Sequence, residues 1–211
     1  MSMKIRKLEH SGIIIEDDGR AVIFDPIEIE NSLPEYENID AIIITHRHSD
    51  HLQTQDVVEV ATHNPNAKIL CPEDCLANFN NTHLNAEAVV PGQKLVVDNF
   101  NLTFFGGKHA QIFPGQEMCD NLGCIVNGIF ANPGDSLDVP PLAVKVLCVA
   151  LSAPWLKSHE AVEFINNVKP EVVIPIHDAL VSRMGKEIYR NVLKKADREF
   201  RFLEPGQEFE F

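Results

Sequence analysis

Apolar and polar positions along this chain mark out short strands before they mark anything else. "KIRKLE", "GIIIED" and "RAVIFD" are brief apolar-rich runs separated by His10-Ser11-Gly12 and by Asp18-Gly19, the second a hairpin-type turn pair. A Pro-containing loop, "PIEIENSLPEYEN", leads to "IDAIIIT", which is almost wholly apolar. Such a strand is expected where both faces of a sheet are covered. "TQDVVEVATHN" instead spaces Val57, Val58 and Ala61 as a helix does, with Thr54 placed to cap it and Pro65 to end it.

"AKILC" predicts the next strand, and "PEDCLANF" a short helix with Pro72 at its first position. "KLVVD" and "NLTFFG" predict two more strands. Beyond Gly106-Gly107 the texture repeats, with strands at "LGCIVNG", "IFANPG" and "VKVLCVAL", a helix at "SHEAVEFINNV" and a strand at "EVVIPIH". A last helical stretch, "SRMGKEIYRNVLKKA", precedes "FRFLEPGQEFEF". No Gly/Ser linker or low-complexity tract divides the chain. The expectation is an α+β fold of two β-rich layers with helices outside. It forms one domain over 1–211, built of two similar halves, about 1–105 and 106–211.

Composition narrows the function more than the fold. Hydrophobic residues make up 45% and charged residues 23% of the 211, an ordinary globular balance that argues against disorder. A formal net charge of −13 argues against nucleic-acid binding, which needs Lys and Arg to displace counterions. A small anionic substrate is still compatible, because a bound divalent cation reverses the local field. The opening "MSMKIRKLEH" has no apolar signal-peptide core, and no apolar run is long enough to cross a bilayer. Five cysteines, an odd number, fit reduced thiols better than a disulfide framework. The protein is expected in the cytoplasm, away from membranes, with a homo-oligomer left open.

The chemistry concentrates in "THRHSDH", directly after the apolar run Ile42-Ile43-Ile44. On an extended segment alternate residues share a side, so His46 and His48 can approach one cation together. If the chain then turns, Asp50 and His51 face a second position. Imidazoles and a carboxylate are donors that Zn²⁺, Fe or Mn²⁺ accept. Four donors cannot fill two sites. His109 in "FFGGKHA", Asp135 in "FANPGDS" and His177 in "VVIPIHD" each follow an apolar run into a Gly- or Pro-marked turn, and they are the further candidates.

"HRHSDH", with His109, Asp135 and His177 in that order, resembles the HxHxDH pattern and later ligands of the metallo-β-lactamase-fold superfamily of metal-dependent hydrolases. "MKIRKLEHSGIIIEDDGRAVIFDP" and "EAVEFINNVKPEVVIPIH" are similar, more narrowly, to its small UPF0173-like and ascorbate-6-phosphate-lactonase-like branch. The resemblance covers nearly the whole chain and implies a four-layer αβ/βα sandwich with metals at one edge between the sheets. It implies one cation held by His46, His48 and His109, a second held by Asp50, His51 and His177, and Asp135 bridging both. Zinc comes first among the metals, with manganese, iron or nickel as alternatives. Asp25 in "IFDP" matches an early family Asp, which suggests that it orients a ligand histidine; the other reading is a turn residue before Pro26. The sequence departs from relatives at Ser152-Ala153-Pro154-Trp155, where they carry a Gly-rich loop, and at "FANPGD", so relatives' substrate specificity is not carried over.

The implied reaction is hydrolysis in which a dinuclear centre supplies hydroxide and Asp50 both binds metal and orients the nucleophile. No serine elbow competes with it. A small cyclic or phosphorylated substrate, a lactone or a phosphodiester, ranks first. The alternatives are a di-iron redox enzyme and a non-catalytic binding module on the same fold. His10 stands near the expected pocket or serves a local hydrogen bond. Trp155 walls the pocket or fills the core, and Phe113 in "AQIFPGQEMCD" offers an apolar contact. Cys71 and Cys75, near His63 and His83, read as buried thiols in preference to a structural zinc site. Cys119 and Cys124 would pair only on oxidation, and His159 reads as a surface cap.

Overall fold

A computed structural model describes residues 3–29 and 36–211; positions 30–35 of the Pro-containing loop lie outside the described residues. The strands predicted from apolar runs form as β1 (Lys4–Lys7), β2 (Ile13–Asp17), β3 (Arg20–Phe24), β4 (Ile39–Ile43) and β5 (Lys68–Cys71). A short strand that the sequence pattern did not reveal, β6 (Ala86–Ala88), follows. Then come β7 (Lys94–Val97), β8 (Phe100–Lys108), β9 (Asp120–Val126), β10 (Phe130–Asn132), β11 (Val146–Ala150) and β12 (Val172–Ile176). The tail contributes β13 (Glu199–Phe200) and β14 (Glu208–Glu210). The helices are α1 (Thr54–His63), α2 (Ser158–Val168) and α3 (Arg183–Leu193).

Local signals are mostly as expected, with three differences. Thr54 is the first residue of α1 and Gln53 the cap, because the Thr54 hydroxyl is spent on the Asn78 carbonyl at 3.3 Å. "PEDCLANF" winds as a 3₁₀ helix over Glu73–Phe79, with Pro72 just ahead of it in extended conformation. At the start of α2 the Lys157 amide is capped by Glu160, and His159 is an exposed helical residue.

Among the described residues two seven-stranded sheets form, in the orders β14-β1-β2-β3-β4-β5-β6 and β13-β12-β11-β10-β9-β8-β7. The two are built alike. In the first, β14 to β3 are antiparallel neighbours and β3 to β6 run parallel. In the second, β7 to β10 are antiparallel and β10 to β13 parallel. The chain changes sheets between Ala88 and Lys94, ahead of the division near 105, and β14 crosses back to complete the first sheet. β14 thus holds in the first sheet the place that β7 holds in the second.

Three apolar clusters make this a four-layer α+β sandwich. Phe24, Ile43, Phe104, Phe130 and Ile174 pack in the cluster between the sheets. Ile23, Ile42, Val57 and Val60 seal α1 against the outer face of the first sheet. Val149, Val173, Phe164 and Ile165 seal α2 against the outer face of the second. Being covered on both faces, β4, β11 and β12 are buried at every position, the physical reason for their apolar sequences, which only Asp40 of β4, paired with Arg20, interrupts. Among the described residues no helix is long and apolar enough to cross a membrane.

The Phe24 and Phe130 rings, 5.8 Å apart, join the two sheets at full burial. Phe130→Ala is expected to cost about 3–5 kcal/mol by opening a cavity there. A shifted urea midpoint with unchanged slope would show it, and an unshifted midpoint would contradict the packing described.

Candidate metal centre

Chemistry-bearing residues gather where strands of like direction end. Asp25 follows β3, Thr45 and His46 follow β4, His109 follows β8, Asp135 follows β10, and His177 follows β12. His10 lies just past β1. After His48 the chain curls, with the His51 and Leu52 amides donating to the His48 carbonyl at 2.9 and 2.8 Å. That curl brings Asp50 and His51 back to the rim beside His46 and His48.

Potential ligand atoms converge within 4.8 Å of one another in three overlapping groups: His46, His48 and His109; His46, His51 and Asp135; and His10, Asp50, His51 and His177. Thus all seven residues proposed from the sequence meet at one place, and His10 meets them. Among the described residues no other such group forms. Cys71 and Cys75 are buried thiols, and all five cysteines are free.

Hydrogen bonds fix most of the imidazoles. The Thr45 hydroxyl donates to Asp25 Oδ2 at 2.7 Å, which leaves its oxygen to accept from His46 Nδ1 at 3.0 Å. His51 Nδ1 donates to Asp25 Oδ2 at 2.7 Å. His109 Nδ1 meets the Ala110 carbonyl at 2.5 Å, and His177 Nδ1 meets the Ser152 carbonyl at 2.7 Å. In all four rings the Nδ1 proton is spent on an acceptor, so Nε2 is the atom that faces the cluster and, once deprotonated, has a lone pair to give a cation. His48 is held differently, with Nε2 3.7 Å from Cys119 Sγ.

Asp135 is the hub on the side of the second sheet. Its oxygens lie 3.3 Å from the Nε2 atoms of His51, His109 and His177. The Trp155 indole donates to Asp135 Oδ2 at 2.8 Å, so this ring, read from the sequence as a pocket wall or core filler, grips a carboxylate. Asn121 accepts from the Asp135 amide at 3.0 Å and donates to the Pro133 carbonyl at 2.9 Å, bracing the turn from within. Gly134 has a φ of +63°, and a Cβ there would stand 2.4 Å from Asn121 Oδ1 and 2.8 Å from Thr45 Cβ. Both departures from the family pattern therefore touch the centre: the Ser152-Trp155 loop through His177 and Asp135, and the turn of "FANPGD" through Asn121.

Electrostatics reflect this crowding. Burial disfavours the charged form of His177, but the Asp135 and Asp50 carboxylates outweigh it and raise its pKa to about 9. His51 is likewise held well above its usual value, against burial, by Asp135 and Asp25. Asp50 and Asp135 are driven below the usual carboxylate range, again against burial, by their imidazole neighbours. His46, His48 and His10 are lowered, mainly through burial. Without a cation the centre keeps protons on His51 and His177 to balance its carboxylates. A cation would take over that work.

Four supporting residues escaped the sequence reading. Thr45 and Asn121 are described above. Lys7 is fully buried, donating to the carbonyls of Leu8 and His10 at 2.9 and 2.7 Å and to Asp178 Oδ1 at 3.2 Å. Asp178 also takes Lys186 Nζ at 2.8 Å. Strand alternation was the available signal, since Lys7 shares its face with buried Ile5. Phe113, by contrast, is 57% exposed and makes no ring contact with the cluster. A cavity of about 420 Å³ borders the centre at His10 and Asp178, lined also by Ile29, Val181, Arg183 and Lys186.

Two outcomes follow from this arrangement. Gly134→Ala is expected to cost about 1–3 kcal/mol from its backbone conformation alone, read as a lower unfolding midpoint. A folded pKa above the unfolded value stabilises fully below the unfolded pKa and is lost as pH rises through the folded one. The chelated protein should accordingly lose Tm between pH 7 and about 9 as His177 gives up its proton. A flat Tm across that range would contradict the charge balance described.

The model for the family described as "Beta-lactamase superfamily domain" matches residues 4–177. The protein Rv0786c of Mycobacterium tuberculosis is 29% identical over 192 residues, covering 89% of each chain. A UPF0173 metal-dependent hydrolase of Saccharolobus solfataricus is 31% identical over 117 residues, 51% of each chain. Among solved structures, Igni18, a metallo hydrolase of the archaeon Ignicoccus hospitalis, superposes with a TM-score of 0.75 at 17% identity, covering 100% of this chain and 99% of that one. With the sandwich, the strand-end cluster and a match across most of its length, the chain belongs to the beta-lactamase superfamily.

Proposed function

We propose that this metal-dependent hydrolase works through two divalent cations, zinc first among them. His46, His48 and His109 would hold one, and Asp50, His51 and His177 the other, with Asp135 between both. The observation that carries this reading is buried polar atoms left short of hydrogen bonds where the donors converge: His46 Nε2 is shut away from solvent without a partner, and Asp135 Oδ1, equally buried, makes no aligned hydrogen bond and has His51 Nε2 3.3 Å away. A buried polar atom costs about 1–3 kcal/mol when unsatisfied, so two at one converging donor cluster call for a ligand. Imidazole and carboxylate donors suit zinc, manganese or iron, so the residues present fit the group.

When bound, the cations supply Lewis acidity and lower the pKa of water. The chain's own residues do the rest. Asp25, through Thr45 and His51, keeps two imidazoles turned inward. Trp155 and Asn121 hold Asp135 at the middle. Asp50, with its side chain 36% exposed, is the carboxylate open to substrate and is suited to orienting the attacking nucleophile. The cavity beside His10 is of small-molecule size, and the charge of −13 disfavours a polyanion. A lactone or a small phosphodiester is the substrate class this supports. Five free thiols fit a reducing, cytoplasmic setting.

The test is elemental analysis of anaerobically purified protein, followed by a panel of lactones and phosphodiesters. Two metals per chain are expected, and fewer than one would overturn the reading. His48→Ala should lose one metal and reduce kcat/KM by at least about 100-fold, whereas unchanged turnover would exclude this centre as the catalyst. Trp155→Phe keeps ring volume but removes the donor to Asp135, so it should weaken metal binding about 10–100-fold in a chelator competition.

A further inference from the structure

His10 meets the cluster on different terms from its neighbours. Its ring is buried, tilted against His177 at a centroid distance of 4.0 Å, with Nε2 3.4 Å from Asp50 Oδ2. That Nε2 is shut from solvent and makes no aligned hydrogen bond. By proximity alone it would count as a fourth ligand beside Asp50, His51 and His177.

The other end of the ring decides otherwise. The Ala179 amide donates to His10 Nδ1 at 3.3 Å. In His46, His51, His109 and His177 the Nδ1 faces an acceptor, and in His10 it faces a donor. A neutral imidazole has one N–H, so an accepting Nδ1 places the proton on Nε2. An Nε2–H has no lone pair for a cation. The residue is also immobilised: its φ is +50°, and its carbonyl takes Lys7 Nζ at 2.7 Å and the His177 amide at 3.0 Å.

Asp50 needs such a donor. Among the described residues, His10 and His177 are the two groups in ion-pair range of its carboxylate, the latter at 3.5 Å. Once His177 gives its lone pair to a cation, His10 is the remaining hydrogen-bond donor. We propose that His10 is a positioning residue, a tautomer-fixed Nε2–H donor that sets the rotation of the Asp50 carboxylate, and not a metal ligand. The inference rests on the two-cation reading above. It assigns Lys7 and Ala179 a purpose, since the first anchors the His10 backbone and the second fixes its proton.

The test uses the zinc-loaded full chain with selectively ¹⁵N-labelled histidine. His10 Nε2 should resonate as a protonated nitrogen coupled to its hydrogen, with Nδ1 unprotonated; the reverse pattern, or a metal-bound Nε2, would overturn the proposal. In zinc titrations His10→Ala should keep two metals per chain while the weaker site loses about 10–100-fold in affinity, and His10→Gln, which restores an N–H, should recover most of it. Loss of a whole metal from His10→Ala, or no change in affinity, would each refute the positioning role. His177→Ala is the control on the underlying reading: if it retains both metals, the two-cation assignment fails whatever His10 does.

Discussion

One imidazole between two buried carboxylates sets the terms for the rest of the molecule. His51 stands with Nδ1 2.7 Å from Asp25 and Nε2 3.3 Å from Asp135, and all three side chains are buried. Asp25 follows a strand of the first sheet and Asp135 the turn after a strand of the second, so the sandwich closes at this rim through charge. Leaving either carboxylate buried and unpaired would cost several kcal/mol, which constrains every neighbour. Thr45 and Asn121 are polar because each must supply or accept one of these bonds. Gly134 is bare because Asn121 and Thr45 leave it no room.

How far the sequence revealed this depended on distance along the chain. His46, His48, Asp50 and His51 declare themselves because one strand end and one turn carry all four. His109, Asp135 and His177 were legible by context, each an isolated polar residue where an apolar strand stops. Lys7 and Asp178 were not, since the two meet across 171 positions of chain, and Thr45 and Asn121 were not, since a lone uncharged polar residue in or beside a strand reads as surface. Trp155 reads from the sequence as a pocket wall or a core filler, because an indole ring advertises apolar area, and in the structure its N–H holds Asp135. Phe113 was read by proximity to His109, and the turn that follows β8 carries it outward. For the strands, burial on both faces made the sequence plain, whereas three-residue β6 has too few positions to show a period.

Because donors come from both sheets, the centre links the halves of the molecule. His46, His48, Asp50 and His51 belong to the first sheet's loops, and His109, Asp135 and His177 to those of the second. Cations held by donors from both sheets would favour the closed sandwich over the open chain by mass action. The dense cross-linking hydrogen bonds, such as the Leu122 amide on the Thr45 carbonyl at 2.8 Å, already hold the two rims in register. Little ordering would then remain to be done on binding, which is the structural meaning of a preorganised site.

The exchange of β14 has a consequence for how the molecule comes together. Lys4 pairs with Glu210, and Met3 and Phe211 exchange backbone hydrogen bonds of 3.0 and 2.9 Å. Such a pairing closes one of the longest loops available, and loop-closure entropy must be overcome before any bond rewards it. The outer edge of β1 therefore stays bare until the tail arrives. In that interval it is a free template for another chain's strand, so β14 acts as a guard against misassociation.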